Sequence, residues 1–185
     1  MAQVKGTAVV ASVRYVSERF GASGLLGVLG ALPADDRRVL EGGGVLASSW
    51  YPMPLFLRFM QEAEKQLGAK EPDLVRRMGR ASADYGVKTV YKIFFKVGSP
   101  EFIIGRAARV FGSYYDTGSL TVVETRSGRA VLDLAGFEGA PQFCERIRGW
   151  MERTVELAGA KNLRADHTLC VHRGDALCRF EGTWD

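Results

Sequence analysis

The sequence predicts an α+β fold in which amino-terminal helices pack on a small antiparallel sheet formed by the carboxy-terminal third. Apolar residues recur at helical spacing in the first two-thirds of the chain, whereas residues 119–134 and 162–183 are strand-like and interrupted by turns. Helices followed by antiparallel strands are typical of α+β domains. Because the 185 residues contain no repeat and no obvious linker, they are predicted to form a single domain over 1–185.

Glycine, proline and serine mark the boundaries of the predicted helices. Gly21 is a natural end for the first helix, and Pro33 stands in the first turn of a later one. Ser99 and Pro100 are typical of a helix start, with serine as the cap and proline in the first turn. In chain order, helices are predicted over residues 7–20, 22–31, 33–40, 54–67, 72–85, 88–97 and 99–111.

The carboxy-terminal third is predicted to hold two hairpins and one long helix. Residues 119–124 and 130–134 flank a turn and form the first hairpin. Residues 162–171 and 176–183 form the second, and the helix over 141–157 precedes it.

Composition argues against membrane and secreted classes. The longest apolar stretches are too short to span a bilayer, and the first residues lack the apolar region of a signal peptide. We therefore predict a cytoplasmic protein with no membrane span. An odd number of cysteines in a reducing compartment argues against a disulfide framework.

Basic residues are concentrated between residues 72 and 110. Lys88, Lys92 and Lys96 recur every fourth residue, so a helix would align them on one side, and a solvated helix face is favoured for them. Because a nucleic-acid binder should also show a recognisable module or base-stacking aromatics, no nucleic-acid partner is predicted. The basic residues are Arg76, Arg77, Arg80, Lys88, Lys92, Lys96, Arg106 and Arg109.

The last forty-two residues contain all three cysteines and both histidines. Three thiolates and one imidazole are a zinc ligand set, and four protein ligands close a tetrahedral site with no position left for substrate. The helix start would carry Cys144, whereas the second hairpin would bring His167, Cys170 and Cys178 together. We predict a structural zinc ion on these four residues.

Strand parity limits this prediction. His167 and Cys170 are three residues apart, so a regular strand would point them to opposite faces. A bulge or a strand end near Thr168 is needed for both to bind one ion. Otherwise Asp166, Glu145 or a water would complete the site, or His172 would replace His167; three buried, inert thiols are the alternative without a metal.

The run from Cys170 to Phe180, with Gly174-Asp175 between the two cysteines, resembles the carboxy-terminal signature of the 4-vinyl reductase domain. The zinc-binding members of that family use a cysteine, a carboxylate and two further cysteines. The resemblance implies the same roles here for Cys144, Cys170 and Cys178. His167 stands where the family usually has glutamate, and imidazole is an acceptable zinc ligand.

The amino-terminal part resembles a bacterial paralogous family with no assigned activity (DUF2378-like), through Lys5-Gly6-Thr7-Ala8, Glu18-Arg19-Phe20-Gly21, Leu32-Pro33 and Trp50-Tyr51-Pro52. Both resemblances imply the ligand-binding superfamily of nitric-oxide signalling and Golgi transport. Relatives dimerise through helices, so a homodimer is expected. Although Tyr15, Ser17 and Arg19 fit a haem-propionate motif of nitric-oxide sensors, those domains need a histidine before that motif, and the first histidine here is His167. Haem is therefore not predicted.

The resemblance to the sensor members of this ligand-binding superfamily also implies a small apolar cavity between the helices and the sheet. A buried cavity with a few polar anchors is a normal ligand site, although clustered aromatic residues are more often core. Candidate pocket residues are Trp50, Phe56, Phe59, Tyr91, Phe94, Phe95, Phe102, Tyr114 and Tyr115.

The sequence therefore predicts a non-enzymatic small-molecule-binding sensor or signalling module with a structural zinc site. This module would bind a small apolar ligand or a protein partner. Two alternatives stay open. One is an enzyme or accessory protein acting on a planar, tetrapyrrole-like molecule, which an open coordination position or a polar pocket would favour. The other is an assembly subunit without a ligand, which a solid core would favour.

Overall fold

Helices dominate the first two-thirds of the chain and an antiparallel sheet the last third, which confirms the predicted α+β class. The computed structural model describes residues 1–89, 98–137 and 139–185. Its elements are β1 (Gln3–Lys5), α1 (Gly6–Gly30), α2 (Ala34–Leu40), β2 (Trp50–Pro52), α3 (Met53–Leu67), α4 (Leu74–Thr89), α5 (Pro100–Ile104), α6 (Ala107–Tyr114), β3 (Ser119–Arg126), β4 (Arg129–Ala135), α7 (Pro141–Leu157), β5 (Arg164–Leu169) and β6 (Cys178–Thr183).

Local backbone chemistry explains where the predicted helices and the observed ones agree. Gly21, with φ of 71°, breaks α1 at the position where the sequence predicts a helix end. Ser99 caps α5 through its side chain, but a break at Gly105 and Arg106 divides the predicted helix into α5 and α6. The predicted helix over 88–97 overlaps α4 at its first two residues, and 90–97 lie outside the described residues.

Of the two short strands near the amino terminus, the sequence predicts only a connector or short strand over residues 45–50, which meets β2 at Trp50. β1 and β2 pair antiparallel, with Val4 opposite Tyr51. Each has three residues, which is too short for an alternating pattern to stand out. The pair fixes the start of α1 beside the start of α3.

The main sheet is antiparallel with the order β3-β4-β6-β5. Its two hairpins meet where β4 pairs with β6, and Leu132 lies opposite Phe180 in that register. Both side chains are buried in the hydrophobic core that joins the sheet to the helices. Within the described residues, no helix has the length and apolarity needed to cross a membrane.

Helices α4 and α7 pack against each other at unusually close range, through one glycine on each. A Cβ atom added at Gly79 of α4 would lie 2.0 Å from the carbonyl oxygen of Arg146. A Cβ atom added at Gly149 of α7 would lie 1.9 Å from the carbonyl oxygen of Arg76. The contact is reciprocal, so each helix presents a glycine to the other's backbone.

Ion pairs flank this contact. The Arg76 guanidinium donates to the Glu152 carboxylate at 2.9 Å, and Arg80 donates to Glu156 at 2.7 Å. The Glu152 side chain is 4% exposed, and Arg76 and Arg80 both lie within ion-pair distance of it. These pairs join α4 to α7, whereas Lys92 and Lys96 of the predicted lysine face lie outside the described residues.

Replacing Gly149 with alanine is expected to destabilise the protein by about 3 kcal/mol, because the new methyl group would force the two helix backbones apart. Urea denaturation followed by circular dichroism measures the change. Gly112→Ala in α6 is the matched control, since a Cβ atom there meets nothing within 4 Å. Alanine is the better helix former, so the control should be neutral or gain up to about 1 kcal/mol. Equal stability of the two variants would contradict the close-contact assignment.

Candidate metal centre

The predicted ligands Cys144, His167, Cys170 and Cys178 lie together in the structure. One ligand atom from each falls within 4.8 Å of all the others. Cys144 lies in the first turn of α7, His167 in β5, Cys170 just after β5, and Cys178 at the start of β6. This cluster could hold a metal ion, because it joins three thiols and one imidazole with a spacing suited to a single ion.

A bulge in β5 solves the parity problem. His167 pairs with Phe180 and Leu169 pairs with Arg179, so Thr168 is an extra residue on β5. The extra residue shifts the following side chains to the opposite face of the strand. His167 and Cys170 therefore reach one centre, and the bulge lies where the sequence argument requires it.

The sulfur geometry matches a metal site better than a disulfide. The Sγ atoms of Cys144 and Cys178 are 3.6 Å apart, and all three cysteines are free. Two thiolates on a tetrahedral zinc ion with Zn–S bonds of about 2.3 Å would be separated by about 3.8 Å. Little adjustment is needed for these sulfurs to bind one ion.

Burial makes the cysteines unreactive as free thiols. Cys144 is 1% exposed and Cys178 is fully buried. Burial raises the pKa of Cys144, and the neighbouring Cys178 raises it further. The pKa of Cys178 is also raised, chiefly by burial. Catalytic thiols need the opposite environment, whereas a bound cation would favour the thiolates.

His167 is held with one nitrogen available to the centre. Its ring stacks on Phe180 with centroids 4.6 Å apart. Nδ1 lies 3.8 Å from the Glu145 carboxylate, while the buried Nε2 has no hydrogen-bond partner among the described residues. The neighbouring His167 imidazole lowers the pKa of Glu145. Metal-bound histidines commonly donate their second N–H to a carboxylate, so Nε2 is the nitrogen suited to the ion.

The alternative ligands lie outside the four-residue cluster. Glu145 faces the other side of the His167 ring, and the Asp166 side chain is 78% exposed. His172 is exposed and packs edge-on against Phe137. The structure therefore places His167, and none of these three residues, beside the three cysteines.

Asp175 orders the loop that carries Cys170. The Cys170 backbone N–H donates to Asp175 Oδ2 at 2.7 Å. In return, the Cys170 carbonyl accepts hydrogen bonds from the N–H groups of Arg173 and Asp175. The sequence marked Gly174-Asp175 as a turn, but not this support for Cys170.

An apolar cavity of about 290 Å³ lies between the helices and the sheet. It is bounded by the end of α4, by α5, α6 and α7, and by Leu132 of β4. Two arginines lie in the lining, and most other lining groups are apolar. The lining residues are Ala83, Gly86, Ile103, Ile104, Arg106, Ala107, Arg109, Val110, Ser113, Tyr114, Leu132, Trp150, Met151, Thr154 and Val155.

Most of the predicted pocket residues lie elsewhere. Tyr114 lines the cavity, while Phe56 and Phe59 are fully buried in the core. Trp50 and Phe102 are 38% and 41% exposed, and neither is among the lining residues. Tyr91, Phe94 and Phe95 lie outside the described residues.

Tyr115, the remaining predicted pocket residue, instead contacts a buried arginine. Arg146 is 1% exposed, and its guanidinium donates to the Tyr115 hydroxyl at 2.7 Å and to Ser82 Oγ at 2.9 Å. The guanidinium also lies 4.9 Å from the centre of the Phe56 ring. Burial raises the pKa of Tyr115, so its hydroxyl is neutral. The burial of Arg146 could not be predicted from the sequence, because arginine in a helix is usually exposed.

A family model described as a protein of unknown function (DUF2378) matches residues 19–184. The chain belongs to this family. No curated protein matches it.

Solved structures of H-NOX proteins share the fold. The S. oneidensis protein in its Fe(II)NO ligation state aligns with a TM-score of 0.75 and 14% identity, covering 98% of this chain and 99% of that one. The unliganded Fe(II) H-NOX protein from K. algicida aligns with a TM-score of 0.72 and 10% identity, covering 98% of this chain and 96% of that one. An oxygen-binding H-NOX domain related to soluble guanylate cyclases aligns with a TM-score of 0.68 and 9% identity, covering 98% of this chain and 95% of that one. These identities show the fold alone, and the resemblance to the 4-vinyl reductase domain stays a prediction.

Replacing Asp175 with alanine is expected to destabilise the protein by about 1–2 kcal/mol, because the part-buried N–H of Cys170 loses its acceptor. Chemical denaturation measures the loss. Asp166→Ala is the control, since that carboxylate is exposed and its contact with Arg148 is long, at 3.9 Å. If the Asp175 variant is as stable as the control, the loop does not depend on the hydrogen bond from the Cys170 N–H to Asp175.

Proposed function

We propose that residues 1–185 form one non-enzymatic small-molecule-binding domain, a sensor or signalling module with a structural zinc ion on Cys144, His167, Cys170 and Cys178. The observation that carries the zinc site is the convergence of four ligand atoms within 4.8 Å. The bulge at Thr168 and the unpartnered Nε2 of His167 support it independently.

A structural role follows from the ligand count. Four protein ligands complete a tetrahedron and leave no position for a substrate or a reactive water. The ion would join the first turn of α7 to both strands of the terminal hairpin. Its binding free energy would then contribute to folding, as in other structural zinc sites.

The residues present do not fit a haem held by histidine or cysteine. Both of these ligand types occur only near the carboxy-terminal hairpin and the start of α7. His167 and the cysteines face one another, and His172 is exposed. None of them lines the apolar cavity. The H-NOX-like fold in this chain therefore lacks the usual histidine or thiolate axial ligand at its cavity.

The cavity supports a ligand-binding role over the alternatives. Its volume of about 290 Å³ lies at the lower end of the range for small-molecule sites. A solid core would have favoured an assembly subunit, and a polar pocket would have favoured an enzyme. A mostly apolar cavity meets neither condition.

The purified, untagged protein is expected to carry one zinc ion per chain by elemental analysis, and native mass spectrometry would report a co-purified small molecule. Cys178→Ser and His167→Asn should lower the zinc content and reduce stability by about 3 kcal/mol or more, because one ligand is lost. Removing zinc with a chelator should lower the melting temperature of the wild type.

His172→Asn is the matched control for the zinc experiment. This exposed histidine lies outside the cluster, so the variant should keep full zinc content and stability. Loss of zinc in His172→Asn, with retention in His167→Asn, would reverse the assignment of the histidine ligand. Wild-type protein without zinc, and with unchanged stability in Cys178→Ser, would refute a structural metal.

We further propose that the chain forms a homodimer through its helices. Leu26 on α1 is 63% exposed, and a helix-mediated contact would cover such an apolar side chain. Sedimentation at micromolar concentration should give twice the mass of the chain. A monomer under these conditions would rule out the dimer. A protein partner and a cytoplasmic location remain predictions from the sequence.

A further inference from the structure

We propose that the cavity binds a single-chain aliphatic carboxylate, with the chain among the apolar side chains and the carboxylate beside Arg109 and Arg106. This inference rests on the proposed ligand-binding function and adds the chemical class of the ligand.

The cavity interior suits an aliphatic chain. Ile103 and Ile104 of α5, Leu132 of β4, and Met151 and Val155 of α7 supply branched or flexible apolar side chains. Transfer of methylene groups from water onto such a surface is favourable. The volume of about 290 Å³ suits one medium-length chain.

Two arginines place positive charge at the opening. Arg106 and Arg109 belong to the lining, yet both are exposed, so they lie where the cavity meets solvent. The guanidinium of Arg106 stacks on the Phe102 ring at 3.5 Å and donates to the Phe102 carbonyl. Neither contact neutralises its charge.

The contrast with neighbouring arginines makes these charges informative. Arg76, Arg80 and Arg153 are paired with carboxylates across α4 and α7. In the described part of the chain, Arg106 and Arg109 form no ion pair with a carboxylate. An arginine fork binds a carboxylate in a geometry that a neutral head group cannot match.

The occupant therefore needs both an apolar chain and one anionic head. A neutral apolar molecule would leave the two cations unused, and a double-chained lipid would exceed the volume. Dodecanoate combines the two features, dodecanol keeps the chain without the charge, and octanoate keeps the charge with a shorter chain.

Displacement of Nile red from the 185-residue protein, with each probe below its micelle concentration, tests the inference. Dodecanoate is expected to bind roughly tenfold more tightly than dodecanol, because a charged hydrogen bond is added. Octanoate should bind more weakly than dodecanoate. Arg109→Gln should remove most of the preference for dodecanoate and leave dodecanol binding unchanged.

Arg164→Gln is the matched control, since Arg164 is exposed on β5 and does not line the cavity. Ala83→Leu and Val110→Trp should each prevent binding of all three probes, because the larger side chain fills the cavity. Two sites are used because either variant alone could disturb folding. Circular dichroism of each variant checks that it is folded.

The outcomes separate this inference from the proposed function. Equal affinity for dodecanoate and dodecanol, or an unchanged preference in Arg109→Gln, would overturn the anionic ligand while leaving an apolar ligand site in place. Failure of Nile red and every probe to bind the folded wild type would overturn both. Equal loss of the preference in Arg164→Gln would show non-specific charge attraction and refute the role of Arg109.

Discussion

The close contact between α4 and α7 is the constraint on which the rest of the structure depends. Gly79 and Gly149 allow each helix to approach the other's backbone, and no larger residue fits at either place without movement. This contact fixes the position of α7, which contributes Cys144 to the metal cluster and Met151 to the cavity. The position of α7 in both the cysteine–histidine cluster and the cavity wall therefore depends on Gly79 and Gly149.

The buried guanidinium of Arg146 depends on the same contact for one of its partners, Ser82 of α4. Moving a cation out of water costs several kcal/mol, and its hydrogen-bond partners Tyr115 and Ser82 are neutral hydroxyls. Charge-assisted hydrogen bonds of about 1.5–3 kcal/mol each, together with the face of Phe56, offset that cost. All three partners must lie close to α7, so Arg146 restricts which arrangements of α4 and α7 are stable.

The sequence predicted those features that depend on local chemistry. Pro141 and the apolar spacing placed α7, and the parity of His167 and Cys170 required the bulge that the structure shows at Thr168. Among the predicted pocket residues, Phe56 and Phe59 lie in the core and Tyr114 lines the cavity, because a buried ring has the same sequence pattern in a core as in a cavity wall. Gly79 within a helical pattern was the available sign of close packing, but its partner helix depends on tertiary structure.

The cluster of Cys144, His167, Cys170 and Cys178 and the apolar cavity share α7. Cys144 and Val155 are separated by about 16 Å along the helix, at about 1.5 Å per residue. A metal ion at Cys144 would hold one end, while the contact at Gly149 holds the middle. The remaining turns form the cavity wall, so an occupant that presses on Met151 or Val155 acts on a helix already fixed at two points.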